Sequence, residues 1–430
     1  MRKQKIFQWV LILGVSLQAT TSHALSPKSS STPDTPVVSR KAFKNLGGLR
    51  AREWWNAMEP ERKKAVVRFF GLAGRRITIP ADHNNPLGHF RHPELTAKEA
   101  QLLIFNSMAN YVKTFLFHPE TMLVRGEDGR LRLHPDLPQD KLYVVKWEAN
   151  NTPNGDPLKG LNKAIGNRPM NQGEELGYTL EEIAAIPEVV GIKFMAYVDS
   201  AQPDTYKTIG EEMKKQAELA HAAGLLFFPE DLPAKSINGK SFDEKTPQGR
   251  REKAVWEARN AVLFAKALHD SQVDYDAYKF TFPGTLSIDP ETGKRIMTDE
   301  EIETNLKEMA QYVQGRLVMM LSGGKKELVP MAEMAARYLP VVGFFPGRGV
   351  WGNAFWDIAP VQKDDRQAIE AMKQQIAEDL RAGGTKSRFD EINEVMMRAM
   401  KPFWEYLGLK KPERQTIPTT DTEARVQLAI

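Results

Sequence analysis

Residues 191–229 read GIKFMAYVDSAQPDTYKTIGEEMKKQAELAHAAGLLFFP and contain a unit that the rest of the chain repeats in outline. An apolar run, Gly191–Val198, precedes a stretch with helical periodicity, Gly210–Ala223, and a second apolar run, Leu225–Pro229. Gly224 stands where glycine commonly ends a helix. Because near-continuous apolar runs of this length are typical of parallel strands buried on both faces, the stretch predicts a strand–helix–strand unit.

The same alternation continues on both sides of this unit. Capping boxes, in which a Thr is followed by a Glu three residues later, predict helix starts at Thr96, Thr179 and Thr298. The predicted strands are Arg76–Pro80, Thr114–Phe117, Leu142–Trp147, Gly191–Val198, Leu225–Pro229, Tyr278–Pro283, Leu317–Leu321 and Val341–Pro346. Eight strand–helix units favour an α/β fold of the (β/α)8 TIM-barrel type over an open doubly wound sheet.

Further helical and loop segments surround the eight units. Ala51–Phe70 predicts an extra N-terminal helix, and Asp364–Arg381 and Arg388–Leu407 predict C-terminal helices. The stretches 150–175 and 231–275 are expected to be long loops.

The N terminus has the three parts of a secretory signal peptide. Three positive residues among the first five precede the mostly apolar stretch Ile6–Leu17, and Ser22 and Ala24 supply the small residues of a cleavage site. The apolar stretch is shorter than the roughly 20 residues that span a bilayer. We therefore expect residues 1–24 to be removed from an exported, periplasmic or secreted protein, with an uncleaved anchor as the alternative.

The domain organisation follows from the composition of the two ends. Residues 25–41 are rich in Ser, Pro and Thr and predict a flexible spacer, and residues 412–430 predict a loose C-terminal tail. The folded unit is expected to span residues 42–411 as one barrel domain.

The composition excludes several function classes. The 430 residues are 41% hydrophobic and 27% charged, which is ordinary for a globular protein. With 59 Lys and Arg against 55 Asp and Glu and no block of like charge, nucleic acid is not an expected partner. The absence of cysteine excludes thiol catalysis, zinc–thiolate sites and disulfides. No stable membrane span is expected beyond the leader.

A lysine inside the sixth predicted strand is the first candidate for chemistry, because a TIM barrel places catalytic groups at the carboxyl ends of its strands. Lys279 lies between Tyr278 and Phe280. Apolar surroundings disfavour the charged amine and lower its pKa, and a neutral amine can attack a carbonyl to form a Schiff base. The alternative is a lysine on the outer face of the barrel, extended between helices.

The carboxylate and anion-binding candidates follow neighbouring strands. Glu230 ends the fifth predicted strand and could transfer protons, the alternative being a salt-bridged surface acid. Backbone N–H groups, a hydroxyl and a guanidinium suit a phosphate after the last two strands, where such barrels usually bind it. These residues are Ser322, Gly323, Gly324, Gly347 and Arg348. Glycine-rich tight turns are the alternative.

Two further patterns in the sequence suggest other kinds of site. Residues 347–352 match G-x-G-x-x-G, but a dinucleotide-binding fold needs further strands downstream, where we find helical patterns. Asp82, His83, His89 and His92 could hold a metal, but their spacing matches no helical metal-binding pair. We therefore expect no cofactor and no metal.

Segments at all eight predicted strands are similar to one enzyme family. Asp276–Pro283 (DAYKFTFP) resembles the Schiff-base strand of the tagatose-1,6-bisphosphate aldolase family, which includes sulfofructose-phosphate aldolases and is related to other bacterial class I aldolases. His118 stands where that family usually has Asp. The resemblance covers about Arg76 to Leu407. The other similar segments, in the same order, are Pro80–His83, Phe117–Glu120, Lys146–Glu148, Gly191–Lys193 with Asp199, Phe227–Glu230, Leu321–Gly324 and Gly347–Trp351.

The resemblance implies a class I aldolase that cleaves a phosphorylated ketose, such as tagatose 1,6-bisphosphate, into dihydroxyacetone phosphate and an aldehyde. It implies that Lys279 is the Schiff-base nucleophile and Glu230 the acid/base group, with Asp82 and Lys193 orienting substrate and proton transfers. Ser322, Gly323 and Arg348 would hold the phosphate. A homo-oligomer is possible. Two alternatives stay open: an exported anion-binding barrel without turnover, and a metal-dependent lyase or hydrolase that uses His83.

Overall fold

The computed structural model describes residues 50–71, 73–82, 94–148, 176–198, 204–233, 242–322, 327–359, 361–362, 365–381 and 388–410. These residues belong to the compact unit Arg40–Ile430, and the second unit, Met1–Ser39, lies outside the described residues. The expectations for the leader, the spacer, the C-terminal tail and the loop 150–175 therefore also fall on residues that are not described. Among the described helices, none has the length and apolar character that a membrane crossing requires.

Eight parallel strands form a closed barrel. The strands in chain order are β1 (Arg76–Pro80), β2 (Thr114–Phe117), β3 (Leu123–Arg125), β4 (Leu131–Leu133), β5 (Leu142–Lys146), β6 (Val189–Val198), β7 (Leu226–Pro233), β8 (Tyr278–Phe280), β9 (Val318–Leu321) and β10 (Val341–Phe345). The barrel follows the order β1-β2-β5-β6-β7-β8-β9-β10 and closes where β10 pairs with β1. Strands β3 and β4 form a separate antiparallel hairpin that the sequence patterns did not predict. The TIM-barrel prediction is confirmed.

Helices alternate with the barrel strands and extend beyond them. In chain order they are α1 (residues 50–57), α2 (Pro60–Phe70), α3 (Ala97–Met108), α4 (Pro119–Met122), α5 (Leu180–Ala184), α6 (Asp204–Ala222), α7 (Pro247–Asp270), α8 (Asp299–Val313), α9 (Leu328–Ala335), α10 (Gly347–Trp356), α11 (Arg366–Leu380), α12 (Phe389–Ala399) and α13 (Phe403–Leu407). The capping boxes predicted at Thr96, Thr179 and Thr298 are all present, with both reciprocal hydrogen bonds formed.

Prolines divide two of the predicted helices. The stretch 51–70 is broken before Pro60, which opens α2, because proline lacks an N–H and its fixed φ suits the first turn of a helix. Pro402 likewise separates α12 from α13 within the predicted helix 388–407. Both predictions located helical sequence correctly but missed the interruption.

The expectation of a long loop over 231–275 is wrong, because the 24-residue helix α7 occupies most of it. Its buried residues include the consecutive triplet Asn260, Ala261 and Val262, so more than one face of the helix is covered. Helices α6 and α8 and strand β7 all contact it. A helix buried on several sides lacks the one-sided apolar pattern by which surface helices are recognised.

The amino end of the barrel is filled by an aromatic plug, which consists of Phe69, Phe70, Phe228 and Phe403. Helix α2 supplies Phe69 and Phe70 directly before β1, and α13 supplies Phe403. Ring centroids lie 4.9 Å apart for Phe69 and Phe228 and 5.4 Å apart for Phe70 and Phe403. The plug places aromatic rings at the amino end of the interior, and the ion-paired side chains on β6, β7 and β8 lie towards the carboxyl end.

Candidate active site

Lys279 lies on β8 and points into the barrel, where the residue is 4% exposed. Its Nζ is 2.7 Å from Glu230 Oε1 on β7 and 5.2 Å from the ring centroid of Phe345 on β10. Side chains from β7, β8 and β10 meet in the interior of a closed barrel and not on its outer surface. The structure therefore places this amine inside the barrel rather than between the outer helices.

A second lysine joins three carboxylates at the same end of the barrel. Lys193 on β6 is 1% exposed, and its Nζ lies 2.9 Å from Asp82 Oδ2 and 3.1 Å from Glu230 Oε2. It also forms a close ion pair with Glu148 Oε1. Because Glu230 contacts Lys279 with one oxygen and Lys193 with the other, its carboxylate bridges the two amines.

The electrostatics of these groups are coupled. Although burial alone would lower the pKa of Lys193, the carboxylates of Asp82, Glu148 and Glu230 hold it well above its usual value. Burial lowers the pKa of Lys146, and the nearby Lys193 charge adds to that effect. Burial also raises the pKa of Glu148 against the attraction of both lysines. We call this group of three carboxylates and three lysines the charged cluster; its members are Asp82, Lys146, Glu148, Lys193, Glu230 and Lys279.

Strand register explains why the cluster forms. Lys146 is paired with Lys193 across β5 and β6, and Glu230 is paired with Lys279 across β7 and β8. Residues in register on neighbouring parallel strands share a face of the sheet, so these four side chains enter the barrel together. Glu148 is held in addition by the Met195 N–H, which donates to its Oε2 at 3.2 Å.

The sequence contained a signal for two cluster members to which it assigned no role. Lys146 and Glu148 are two residues apart at the end of a strand, so their side chains project to the same side. With a carboxylate and an amine on the interior face, that spacing indicates a polar site. His118, which stands where the resembled family usually has Asp, directly follows β2. Its imidazole is fully buried, and its Nδ1 lies 4.0 Å from Glu120 Oε2.

The predicted phosphate-binding residues lie next to one another where they are described. Ser322 directly follows β9, and its Oγ accepts a hydrogen bond of 3.2 Å from the Gly349 N–H. Gly347 and Arg348 form the start of α10. A Cβ at Gly349 would lie 2.6 Å from Ser322 Cβ, so glycine permits the close approach. The first turn of α10 and the Ser322 hydroxyl therefore form one polar corner.

Several other candidates fall outside the described residues. They are His83, His89, His92, Asp199, Gly323 and Gly324. Among the residues that are described, no group of three or more His, Asp or Glu is arranged to hold a metal ion.

Asp231 is a buried carboxyl that the sequence analysis did not single out. It follows Glu230, and its Oδ1 accepts hydrogen bonds from the Tyr278 hydroxyl at 2.6 Å and the Thr281 N–H at 2.9 Å. Its Oδ2 has no hydrogen-bond partner in the described part of the chain. Burial raises the pKa of Asp231 to about 6, against the opposing effect of the Tyr278 and Thr281 hydrogen bonds.

The raised pKa predicts a pH-dependent stability difference for Asp231→Asn. An unfolded Asp titrates near 4, so ionising Asp231 costs stability in the folded protein as the pH rises from about 4 through about 6. Since asparagine does not ionise, the variant should gain about 2 kcal/mol relative to wild type between pH 4.5 and pH 7.5. Urea unfolding at several pH values measures this, with Asp299→Asn as a control at an exposed carboxylate. A constant difference across this range would contradict the prediction.

Comparison with known proteins gives similarity of architecture alone. No protein-family model matches the chain, and no curated protein gives a significant match. One similar solved structure is an archaeal fructose-1,6-bisphosphate aldolase whose catalytic lysine is bound covalently to the carbinolamine intermediate of the substrate (15% identity, 74% of this chain, 99% of that chain, TM-score 0.40). Another is a fructose-bisphosphate aldolase from Slackia heliotrinireducens (14% identity, 80% of this chain, 92% of that chain, TM-score 0.42). A third is a sugar phosphate isomerase/epimerase from Parabacteroides distasonis (10% identity, 72% of this chain, 97% of that chain, TM-score 0.31).

Aldolases with TIM barrels are thus among the structures that this chain resembles. At these identities and TM-scores, the resemblance identifies neither a family nor a reaction. The charged cluster is therefore the feature of this chain that bears on its chemistry.

Proposed function

We propose that this chain is a class I aldolase in which Lys279 forms a Schiff base with a ketose carbonyl. The observation that supports it is the contact of 2.7 Å between Lys279 Nζ and Glu230 Oε1 inside the barrel. A lysine ammonium must lose a proton before it can act as a nucleophile, and Glu230 is within proton-transfer distance. Both groups lie at the carboxyl end of the strands, where barrels of this type carry out catalysis.

The proposed reaction begins when Glu230 accepts a proton from Lys279. The neutral amine attacks C2 of the ketose to give a carbinolamine. Glu230 then returns the proton to the carbinolamine hydroxyl, which leaves as water, so that an iminium forms and Glu230 is again a carboxylate. Glu230 then removes the C4 hydroxyl proton, the C3–C4 bond breaks, and its electron pair passes to the iminium to form an enamine while C4 leaves as an aldehyde. Protonation at C3 and hydrolysis release the ketone product and regenerate Lys279.

Lys193 and Asp82 would assist these steps, Lys193 by stabilising negative charge and Asp82 by orienting its neighbours. Lys193 stays charged because three carboxylates surround it. A fixed ammonium near the reacting atoms stabilises the negative charge that develops on substrate oxygens. Asp82, held 2.9 Å from Lys193 Nζ, would orient that amine and the substrate hydroxyls.

The proposed substrate is a phosphorylated ketose such as tagatose 1,6-bisphosphate, with dihydroxyacetone phosphate and an aldehyde as products. The polar corner of Ser322, Gly347 and Arg348 supports a phosphate there. Gly323 and Gly324 lie outside the described residues and are proposed as phosphate-binding residues from the sequence alone. Backbone N–H groups at the start of α10 favour an anion, and Arg348 adds a guanidinium. The corner lies on β9 and β10, next to the strand of Lys279, so it would hold the ketone close to the amine.

We also propose that the protein is exported, on the basis of the leader pattern in residues 1–24. N-terminal sequencing of the mature protein tests this proposal and should give a chain that begins at Leu25.

Trapping with borohydride tests the proposed reaction. The full chain is incubated with dihydroxyacetone phosphate and sodium borohydride, which reduces a Schiff base to a stable secondary amine, and the adduct is located by peptide mass. We expect one adduct, on Lys279. An adduct on Lys146 or Lys193 would overturn the assignment of the nucleophile. Binding of dihydroxyacetone phosphate without any adduct would favour the non-catalytic anion-binding barrel, and activity lost in chelator would favour a metal-dependent lyase.

A further inference from the structure

The seam between β7 and β8 is held by side chains as well as by backbone. Strand β8 has three residues, and its register with β7 is defined by the pair Glu230 and Lys279. At the amino end of the seam, the Phe227 N–H donates to Asp276 Oδ2 at 2.8 Å. At the carboxyl end, the Thr281 N–H donates to Asp231 Oδ1 at 2.9 Å. Two carboxylates therefore extend a short backbone ladder in both directions.

Asp231 accepts hydrogen bonds from residues on both sides of Lys279. Its Oδ1 accepts from the hydroxyl of Tyr278, the residue before Lys279, at 2.6 Å. Thr281, two residues after Lys279, donates through its N–H to the same oxygen and through its Oγ1 to the Asp231 backbone oxygen at 2.9 Å. The three hydrogen bonds that Asp231 accepts thus fix the segment that carries the amine.

The residues next to Asp231 and Tyr278 in the two strands carry the reacting groups, which point to the other face of the sheet. Successive residues of a strand point to opposite faces, so Glu230 faces the interior while Asp231 faces outward. Tyr278 and Lys279 are divided in the same way, and Tyr278 packs against Phe264 of α7, with ring centroids 5.5 Å apart. A shift of Asp231 relative to Tyr278 and Thr281 therefore changes the separation of Glu230 and Lys279.

We propose that Asp231 is a positioning residue that sets the distance between the Glu230 carboxylate and the Lys279 amine. The effect of that distance on catalysis rests on the proposed aldolase function. The role of Asp231 in setting the distance does not depend on that function. A displacement of about 1 Å between reacting groups can reduce a rate roughly 100-fold. Asp231 itself lies outside the barrel interior and touches no reacting atom.

The reactivity of Lys279 tests the proposal without requiring aldolase activity. Wild type, Asp231→Ala, Asp231→Asn and Tyr278→Phe are methylated with formaldehyde and cyanoborohydride, and the rate at each lysine is read by peptide mass. In Asp231→Ala the ion pair with Glu230 should loosen, so Lys279 should be labelled at least about 5-fold faster, whereas Lys193 should keep its wild-type rate. Asp231→Asn should stay within about 2-fold of wild type, because its side-chain oxygen still accepts both hydrogen bonds.

The result that overturns the proposal is an unchanged Lys279 rate in folded Asp231→Ala, or an Asp231→Asn rate as fast as that of Asp231→Ala. If circular dichroism shows that Asp231→Ala does not fold, Tyr278→Phe decides, because it removes one of the three hydrogen bonds. A 2- to 3-fold increase at Lys279 would then support the positioning role, and a wild-type rate would exclude it.

Trapping with dihydroxyacetone phosphate and borohydride on the same variants separates this proposal from the aldolase proposal. If wild type forms no adduct, the aldolase proposal fails and the methylation rates still decide the role of Asp231. If wild type forms the Lys279 adduct, Asp231→Ala should form it about 10- to 100-fold more slowly. The half-saturating concentration should stay unchanged, since Ser322 follows β9 and Arg348 lies in α10, away from the β7–β8 seam. A rise in that concentration at an unchanged maximal rate would contradict positioning of the amine.

Discussion

Replacing Lys279 with methionine is expected to abolish the borohydride adduct and to reduce ketose cleavage roughly 10³-fold or more, because the side chain that forms the covalent intermediate is removed. Methionine fills a similar volume beside Phe345. Glu230 keeps Lys193 as a counter-ion at 3.1 Å, so no carboxylate is left buried without a positive partner and the variant should fold. Steady-state cleavage, peptide mass after trapping and circular dichroism measure the three effects.

The matched control for this variant is Lys307→Met, on the exposed side of α8, where the lysine side chain is 58% exposed. It should retain wild-type cleavage and the Lys279 adduct. Persistence of an adduct in Lys279→Met, on Lys146 for example, would show that another buried amine is the nucleophile and would contradict the proposed mechanism.

Replacing Lys193 with methionine is expected to destabilise the fold by about 3–5 kcal/mol at pH 7, because Asp82, Glu148 and Glu230 lose their shared counter-ion in a buried site. Their pKa values should rise, and burial already raises that of Glu148 in the wild type. A carboxyl whose folded pKa is raised stabilises the protein below its unfolded pKa and loses that contribution as pH increases. The variant should therefore recover towards wild type as the pH falls from 8 to 5, as measured by urea unfolding.

Lys146→Met provides the comparison for this effect, since it also removes a buried lysine from the charged cluster. Burial lowers the pKa of Lys146, so its ammonium is disfavoured where it lies. Replacing it with an apolar side chain of similar size should change stability by less than about 1 kcal/mol. Equal destabilisation in the two variants, or a loss in Lys193→Met that does not depend on pH, would contradict the role assigned to Lys193.

The barrel was predictable from the sequence because parallel strands buried on both faces leave an apolar run for each strand. Helix boundaries were less accessible. Pro60 and Pro402 were visible interruptions within helical patterns, and in each case a new helix begins at or directly after the proline. The burial of α7 between two helices and a strand removed the periodicity that would have identified it.

The site was predictable as a set of residues but not as a set of contacts. Barrel topology brings Asp82, Lys193, Glu230 and Lys279 to one end, as expected, whereas the ion pairs among them depend on register between strands. Tyr278 and Phe280, the apolar neighbours of Lys279 in sequence, point to the opposite face. The surroundings of the amine come from other strands and include a carboxylate, so the expected apolar environment was only partly correct.

The aromatic plug has a consequence for how the protein is made. It joins α2 to α13, and the Phe403 N–H donates to Gly74 O just before β1 at 2.8 Å. A nascent polypeptide that has not yet been extended to Phe403 lacks this ring, so the plug cannot be completed until α13 has been synthesised.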